Sequence, residues 1–267
     1  MLAPKPVADP SRRDAPSGRW ALPTMVLSLL MVGCRAGGVT DRAPRTAAAT
    51  TPATQPHEAS VRPGVNEEYA TQGVDVWVER FEAESREIFR ERERIVAAVG
   101  AKPGMAVADI GAGTGFFTAL LAESVGATGT VYAVDITAGF LELIRQRAAQ
   151  QGLTNIRTVL CKDDSVELPA NSIDLAFICD TYHHFEYPHS TMRSLYEALR
   201  PGGEVVVVDF KRTPGVSRAW VIDHVRAGQE MTVAEIRACG FEWLADASAA
   251  PFLQENYLLR FRKPRHR

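Results

Sequence analysis

The chain has 267 residues, 46% of them hydrophobic, and a formal net charge of −2 at pH 7. Its length and apolar content suffice for one well-buried core. The near-neutral balance excludes the concentrated basic face that a nucleic-acid partner requires, and the basic stretch from Arg260 to Arg267 reads as a short solvated terminus.

In chain order, the first 34 residues read as a leader. Arg12, Arg13 and Arg19 precede or abut an apolar run from Trp20 to Val32 that ends on small residues, the pattern of a secretory signal. The run is shorter than the roughly 20 apolar residues that cross a bilayer. Met31-Val32-Gly33-Cys34 resembles a bacterial lipobox, with Met31 where leucine is usual. That resemblance implies lipidation at Cys34, membrane attachment and a place in the cell envelope. A cytoplasmic location is the alternative if the leader is misread. Ser11-Arg12-Arg13 hints at a twin-arginine signal, although the apolar residues that should follow are missing. Residues 35–61 are rich in Ala, Thr, Pro and Arg and too poor in large apolar side chains to offset the entropy of ordering, so they are expected to form a disordered tether. The folded domain is placed at 62–267.

Val76 to Val99 has the spacing of one amphipathic helix, with Phe81, Ile88, Ile95 and Val99 on one face. Its Glu- and Arg-rich face is expected to be solvated, with Glu82 and Arg86 paired at i,i+4. Val107 to Ile110 is a short strand ending beside an acid, Asp109. The loop Gly111-Ala112-Gly113-Thr114-Gly115 and an apolar helix follow. A loop of alternating glycines at a strand's carboxyl end lets a ligand lie against bare main chain. Helix and strand then alternate: Thr118 to Val125, Thr130 to Asp135, Ala138 to Gln151, Ile156 to Leu160, Ile173 to Ile178, Thr191 to Leu199 and Gly203 to Phe210. This alternation predicts an α/β fold with a parallel sheet. Thr232 and Glu235 have the spacing of a capping box opening a helix that closes at Gly240, and Phe241 to Ala245 and Tyr257 to Phe261 read as the last strands.

The glycine spacing separates two kinds of nucleotide crevice. A dinucleotide fingerprint reads G-x-G-x-x-G, but here its third glycine position is Phe116. A carboxylate at Asp109 would repel a pyrophosphate and favour a cationic amino group. Asp135, at the end of the next strand, suits ribose hydroxyls. The loop resembles motif I of the class I S-adenosylmethionine-dependent methyltransferases. Val159 to Pro169 resembles the same family's adenine-contacting segment, Ser172 to Phe185 its fourth-strand motif, and Leu199-Arg200-Pro201-Gly202-Gly203 with Val205 to Phe210 its fifth-strand turn. The resemblance covers roughly residues 64 to 264 and is nearest to the branch that methylates ubiquinone and small molecules.

That resemblance implies a Rossmann-like, seven-stranded, mostly parallel sheet with helices on both faces and the last strand antiparallel. It implies transfer of a methyl group from S-adenosylmethionine to a small-molecule acceptor by direct displacement. Cofactor contacts fall on Asp109, Gly111, Ala112, Gly113, Thr114, Gly115, Asp135, Ile136, Asp163 or Asp164, Cys179 and Asp180. The segment from Asn66 to Gly73 would fold over the cofactor, with Tyr69 its residue of interest. The acceptor side is assigned to Tyr182, His183 and Trp220, with His184 and His224 as candidate proton acceptors; Trp220, His224 and Arg226 share a helical spacing. His189 lies near the His183–His184 pair, but no Cys or acid stands at a zinc-type spacing, so no metal is expected. Two rival functions are a nucleotide-cofactor oxidoreductase and a non-catalytic envelope-anchored binding module. An arsenite-type methyltransferase is disfavoured by the spacing of Cys161, Cys179 and Cys239. S-adenosylmethionine is made in the cytosol, so an exported domain would need a separate source of it.

Overall fold

The alternation after residue 100 closes into a single sheet in the computed structural model, which describes residues 58–245 and 248–265. The leader, Cys34 and most of the tether lie outside the described residues. Seven strands, β1 (Ala106–Ile110), β2 (Thr130–Asp135), β3 (Ile156–Leu160), β4 (Ile173–Cys179), β5 (Leu199–Phe210), β6 (Glu242–Trp243) and β7 (Asn256–Arg262), run in the order β3-β2-β1-β4-β5-β7-β6. The first five pair in parallel. β7 alone is reversed, antiparallel to both β5 and β6.

Side chains alternate across the sheet with the strand period of two. On β5, Val205 and Val207 enter one core and Val206 and Val208 the other. The first core is covered by α7 (Pro188–Ala198) through Met192 and Leu195 and by α9 (Gln229–Ala238) through Val233 and Ile236. The second is covered by α4 (Arg92–Val99) through Ile95 and Val99 and by α5 (Phe116–Val125) through Leu121 and Val125. A further helix, α6 (Ala138–Gln151), packs Leu141 and Ile144 on Ala112 and Ala133. Helices therefore lie on both faces, as expected. Strand order reverses between β1 and β4, and their carboxyl ends open the crevice.

The single helix expected over Val76 to Val99 is instead three pieces: α2 (Val74–Phe81), α3 (Glu87–Arg90) and α4. Tertiary partners override the local period. Phe81 turns to an aromatic cluster with Trp77 and Phe140, whereas Ile88 enters the sheet core. Between them Arg86 is extended, with ψ 129°, and its Nη2 donates to the Asp180 carboxylate at 2.6 Å. Glu82 pairs with Arg147 rather than Arg86. Nor is the charged face fully solvated: Glu87 is buried and accepts the main-chain N–H groups of Glu255 and Asn256 at 3.0 and 2.9 Å, capping the start of β7.

Two other boundaries shift for the same reason. α9 opens at Gln229, so Thr232 and Glu235 lie inside it and form no capping box. Thr232 bonds the Tyr257 hydroxyl at 3.0 Å, and Glu235 accepts from Tyr182 and Arg226. α7 begins at Pro188, a favoured first position. Its first amides, those of His189 and Ser190, donate to the Glu58 carboxylate at 3.0 and 2.6 Å. Chain assigned to the tether is thus engaged from Glu58 onward. No helix among the described residues is long and apolar enough to cross a membrane.

Candidate functional site

A cavity of about 460 Å³ opens at the carboxyl ends of β1, β2 and β4, within the range of small-molecule sites. Its floor is the glycine loop. Gly111 has φ +69°, and a Cβ there would sit 2.2 Å from Thr181 Cγ2. Gly115 has φ +82°, and a Cβ there would stand 2.5 Å from Ile144 Cγ1. Both positions therefore require glycine, the second because α5 and α6 approach closely at that point. Gly113 faces the cavity, and its N–H donates to Asp135 Oδ2 at 2.8 Å while the Thr137 N–H donates to Oδ1 at 2.8 Å.

Two buried carboxylates stand on this floor. Asp109 accepts a 2.6 Å hydrogen bond from Thr118 Oγ1, and burial pushes its pKa up to about 7. Asp135 is also raised, again chiefly by burial. Beside them Asp180 adopts φ +47°, held by Arg86 and by Asn256 Nδ2 at 3.0 Å, and burial raises its pKa to about 6. A positive φ on a non-glycine residue stores strain that the surrounding structure must hold.

The far end is lined by aromatic and imidazole rings. The turn Tyr182–His184, a single 3-10 turn after β4, carries His183 and His184. His183 Nδ1 lies 2.7 Å from Asp209 Oδ1, and its main-chain N–H donates to the same carboxylate at 3.1 Å. His184 Nε2 lies 3.2 Å from both the Tyr69 hydroxyl and His224 Nε2. His224 comes from α8 (Ala219–His224), together with Trp220, whose ring meets Phe210 edge-on at 4.9 Å. Burial, with neighbouring positive charge, lowers His184 to about 2 and His224 to about 4. As proton acceptors both are poorly matched to neutral pH.

A strap closes the cavity from above. The Asn66 side chain donates to the His184 carbonyl, Arg62 to the His224 carbonyl, and the Ser60 hydroxyl to Glu186 at 2.8 Å. Tyr69, from α1 (Glu67–Thr71), stacks near Trp77 with ring centroids 4.6 Å apart. Arg80, Phe81 and Arg86 complete this side.

Of the residues singled out in the sequence, Asp109, Gly111, Ala112, Gly113, Asp135, Ile136, Asp163, Cys179, Asp180, His183, His184, Trp220 and His224 line this one cavity. Thr114, Gly115 and Asp164 lie outside its lining. Tyr182 does too: it is fully buried, and its hydroxyl donates to Glu235 at 2.9 Å. Arg226 lies beyond the end of α8 and pairs with the same Glu235, so the helical spacing with His224 is broken. His189 turns to Cys239, 3.7 Å away, and His224 takes its place beside the pair; one ring nitrogen each of His183, His184 and His224 lies within 4.8 Å of the others. No spacing in the sequence displays this grouping of three imidazoles. Sequence reasoning also missed Arg86 and Asp209. Asp209 carried a usable signal, an acid at a strand's carboxyl end like Asp109 and Asp135.

A seven-stranded sheet with one reversed strand, and a cavity with acids and glycines at its switch point, defines the Rossmann-like methyltransferase architecture. The chain belongs to the methyltransferase-domain family, whose model matches residues 101–257. Over 116 residues it is 36% identical to the ubiquinone/menaquinone biosynthesis C-methyltransferase UbiE of Stenotrophomonas maltophilia strain R551-3, a match covering 43% of this chain and 46% of that protein. The chain spans about half the length of the curated relatives it matches. A SAM-dependent methyltransferase from Aquifex aeolicus shares the fold with a TM-score of 0.60 at 20% identity, over 70% of this chain and 97% of the other. The 4+2 cyclase SpnF shares it with a TM-score of 0.55 at 17% identity, over 66% and 80%. A cyclase on this fold shows that the site, not the sheet, must carry the functional argument.

Proposed function

We propose that the domain transfers the methyl group of S-adenosylmethionine to a small, ring-bearing acceptor. The observation that carries this reading is the order along one cavity: Asp109, the glycine loop and Asp135 at one end, aromatic and imidazole side chains at the other. The donor set fits the cofactor. Asp109 offers a buried carboxylate to an ammonium, Asp135 offers oxygens already oriented by two amides, and Asp163 rather than Asp164 faces the cavity at the adenine segment. When bound, S-adenosylmethionine supplies a methyl group on a sulfonium, with a neutral thioether as leaving group. The chain's own task is alignment and exclusion of water, which in favourable cases supplies roughly 7–11 kcal/mol. Phe81, Phe140, Phe210, Trp220 and the strap provide apolar walls and a cover for that purpose. The relatives named for C-methylation in quinone biosynthesis favour an aromatic or quinone-like acceptor. A nicotinamide cofactor is disfavoured by Phe116 and by Asp109.

Titration calorimetry of the full chain with S-adenosylmethionine and S-adenosylhomocysteine tests the reading. Binding should weaken about 100-fold in Asp135→Ala, since hydrogen bonds to a charged group are each worth about 1.5–3 kcal/mol. Equal binding by the variant, or none by the parent, overturns the assignment. Binding without turnover across ring acceptors favours the non-catalytic module. From Val32-Gly33-Cys34 we further infer an envelope lipoprotein. Intact-mass analysis of membrane-extracted protein should show an acylated species that Cys34→Ser abolishes.

A further inference from the structure

We infer that His183, His184 and His224 form a binding site for a divalent transition-metal ion at the acceptor end of the cavity. One ring nitrogen from each lies within 4.8 Å of the others, and all three side chains line the cavity wall. Ligand nitrogens on a four-coordinate zinc ion, each at about 2.1 Å, stand about 3.4 Å apart. The His184 and His224 Nε2 atoms, at 3.2 Å, already have that spacing.

Three further features point the same way. His183 Nδ1 is taken up by Asp209, which leaves Nε2 as its ligating nitrogen and gives the carboxylate–histidine arrangement that commonly supports a bound metal. Asp209 is fully buried and is also held by the main-chain N–H groups of His183 and Phe210, so the ring it orients cannot swing freely. His184 Nε2 is approached at 3.2 Å both by the Tyr69 hydroxyl and by His224 Nε2, so two imidazole nitrogens face each other directly. An ion between the rings gives the facing nitrogens a shared acceptor for their lone pairs.

The donor set selects the ion. Neutral imidazoles suit zinc, iron, nickel or copper and do not suit magnesium or calcium, which take oxygen ligands. Three protein ligands with a fourth position open are the pattern of reactive rather than purely structural zinc sites. Arg62 and Arg80 oppose a cation here, and the Asp209 and Asp180 carboxylates offset them.

The ion's role rests on the methyl-transfer reading, although its binding does not. An acceptor hydroxyl or thiol would displace a metal-bound hydroxide, which takes the acceptor's proton and leaves as water. The acceptor's oxygen or sulfur then forms its bond to the methyl carbon while the carbon–sulfonium bond breaks, its electron pair passing to sulfur. Such a site selects acceptors with an ionisable oxygen or sulfur next to the ring.

The test uses the tag-free full chain, stripped with chelator and titrated with Zn²⁺ and with Co²⁺. One equivalent should bind, with the visible bands of four-coordinate cobalt and a raised melting temperature. His184→Gln and His224→Gln should each lose the equivalent and the bands. Asp209→Asn should weaken binding about 10–100-fold. Circular dichroism and S-adenosylmethionine titration of the same preparations establish that the variants are folded. Zn²⁺ binding that is absent from the folded parent, or unchanged in folded His224→Gln, overturns the site and leaves the three rings as a hydrogen-bonded cluster. Loss of S-adenosylmethionine binding by the parent with Zn²⁺ binding intact would instead sink the methyl-transfer reading alone.

Discussion

The floor of the cavity and its roof hold facing surfaces by different means. The floor, from Asp109 through the glycine loop to Asp135, lies within one stretch of chain, and its shape follows from strand ends and glycine backbone angles. The roof is stitched across the fold: Tyr69 to His184 spans 115 positions, Asn66 to His184 spans 118 and Arg62 to His224 spans 162. The floor's contacts are largely backbone-determined, whereas the roof depends on individual side chains reaching distant partners. A family fold can thus keep one end constant for the cofactor and vary the other for the acceptor.

The largest expected effect breaks the joint between the two regions. Arg86→Ala leaves the Asp180 carboxylate buried with only an amide for a partner, and losing half of such a pair costs about 3–5 kcal/mol. Chemical denaturation at pH 7.5 should show that loss. It should shrink at pH 5, where Asp180, raised to about 6, is protonated. A pH-independent loss under about 1 kcal/mol would mean the joint is not held by charge.

A smaller change separates packing from ligand contact within the floor itself. Gly115→Ala puts a Cβ 2.5 Å from Ile144 Cγ1 at φ +82° and should cost about 2–4 kcal/mol, combining left-handed strain with overpacking. Gly113→Ala meets only ordinary contact with Phe81 at 3.5 Å and should cost about 1–2 kcal/mol, but should weaken cofactor binding more. Equal melting temperatures for the two variants would contradict the division.

The subtlest change is a single proton. Because burial holds the Asp109 pKa near 7, above the ordinary carboxylate value of about 4, the folded protein binds this proton more tightly than the unfolded chain. The stability of the ligand-free protein should therefore fall as pH rises from about 4 to about 7. An ammonium beside the carboxylate reverses the preference, so S-adenosylmethionine binding at pH 6 should release up to one proton. Calorimetry in two buffers of different ionisation enthalpy reads that release, which Asp109→Asn should abolish. Release that persists in the variant would move the ammonium contact elsewhere.

Most of the floor was legible in the sequence because its determinants are local. The strand boundaries Thr130–Asp135 and Ile156–Leu160 and the helix Ala138–Gln151 match the expectation residue for residue. Alternation on β2 and glycine at positions of positive φ leave few other conformations. The broken helix after Val74 was not legible, since its pattern of Phe81, Ile88, Ile95 and Val99 fits one helix equally well until Arg86 finds Asp180 just after β4 and Glu87 finds the start of β7. Tyr182 looked like part of an acceptor pocket, yet Glu235 and Arg226, more than forty residues away, draw it into the core.

The sequence by itself determined the sheet, the glycine-loop end of the cavity and the family, because strand period, glycine angles and acids at strand ends act over a few neighbouring residues. Only the tertiary structure decided that His224 rather than His189 joins His183 and His184, that Asp209 orients the first of them, and that Asp163 rather than Asp164 faces the cavity. Those choices depend on which distant surfaces meet once the apolar faces are buried, and sequence spacing carries no record of that meeting.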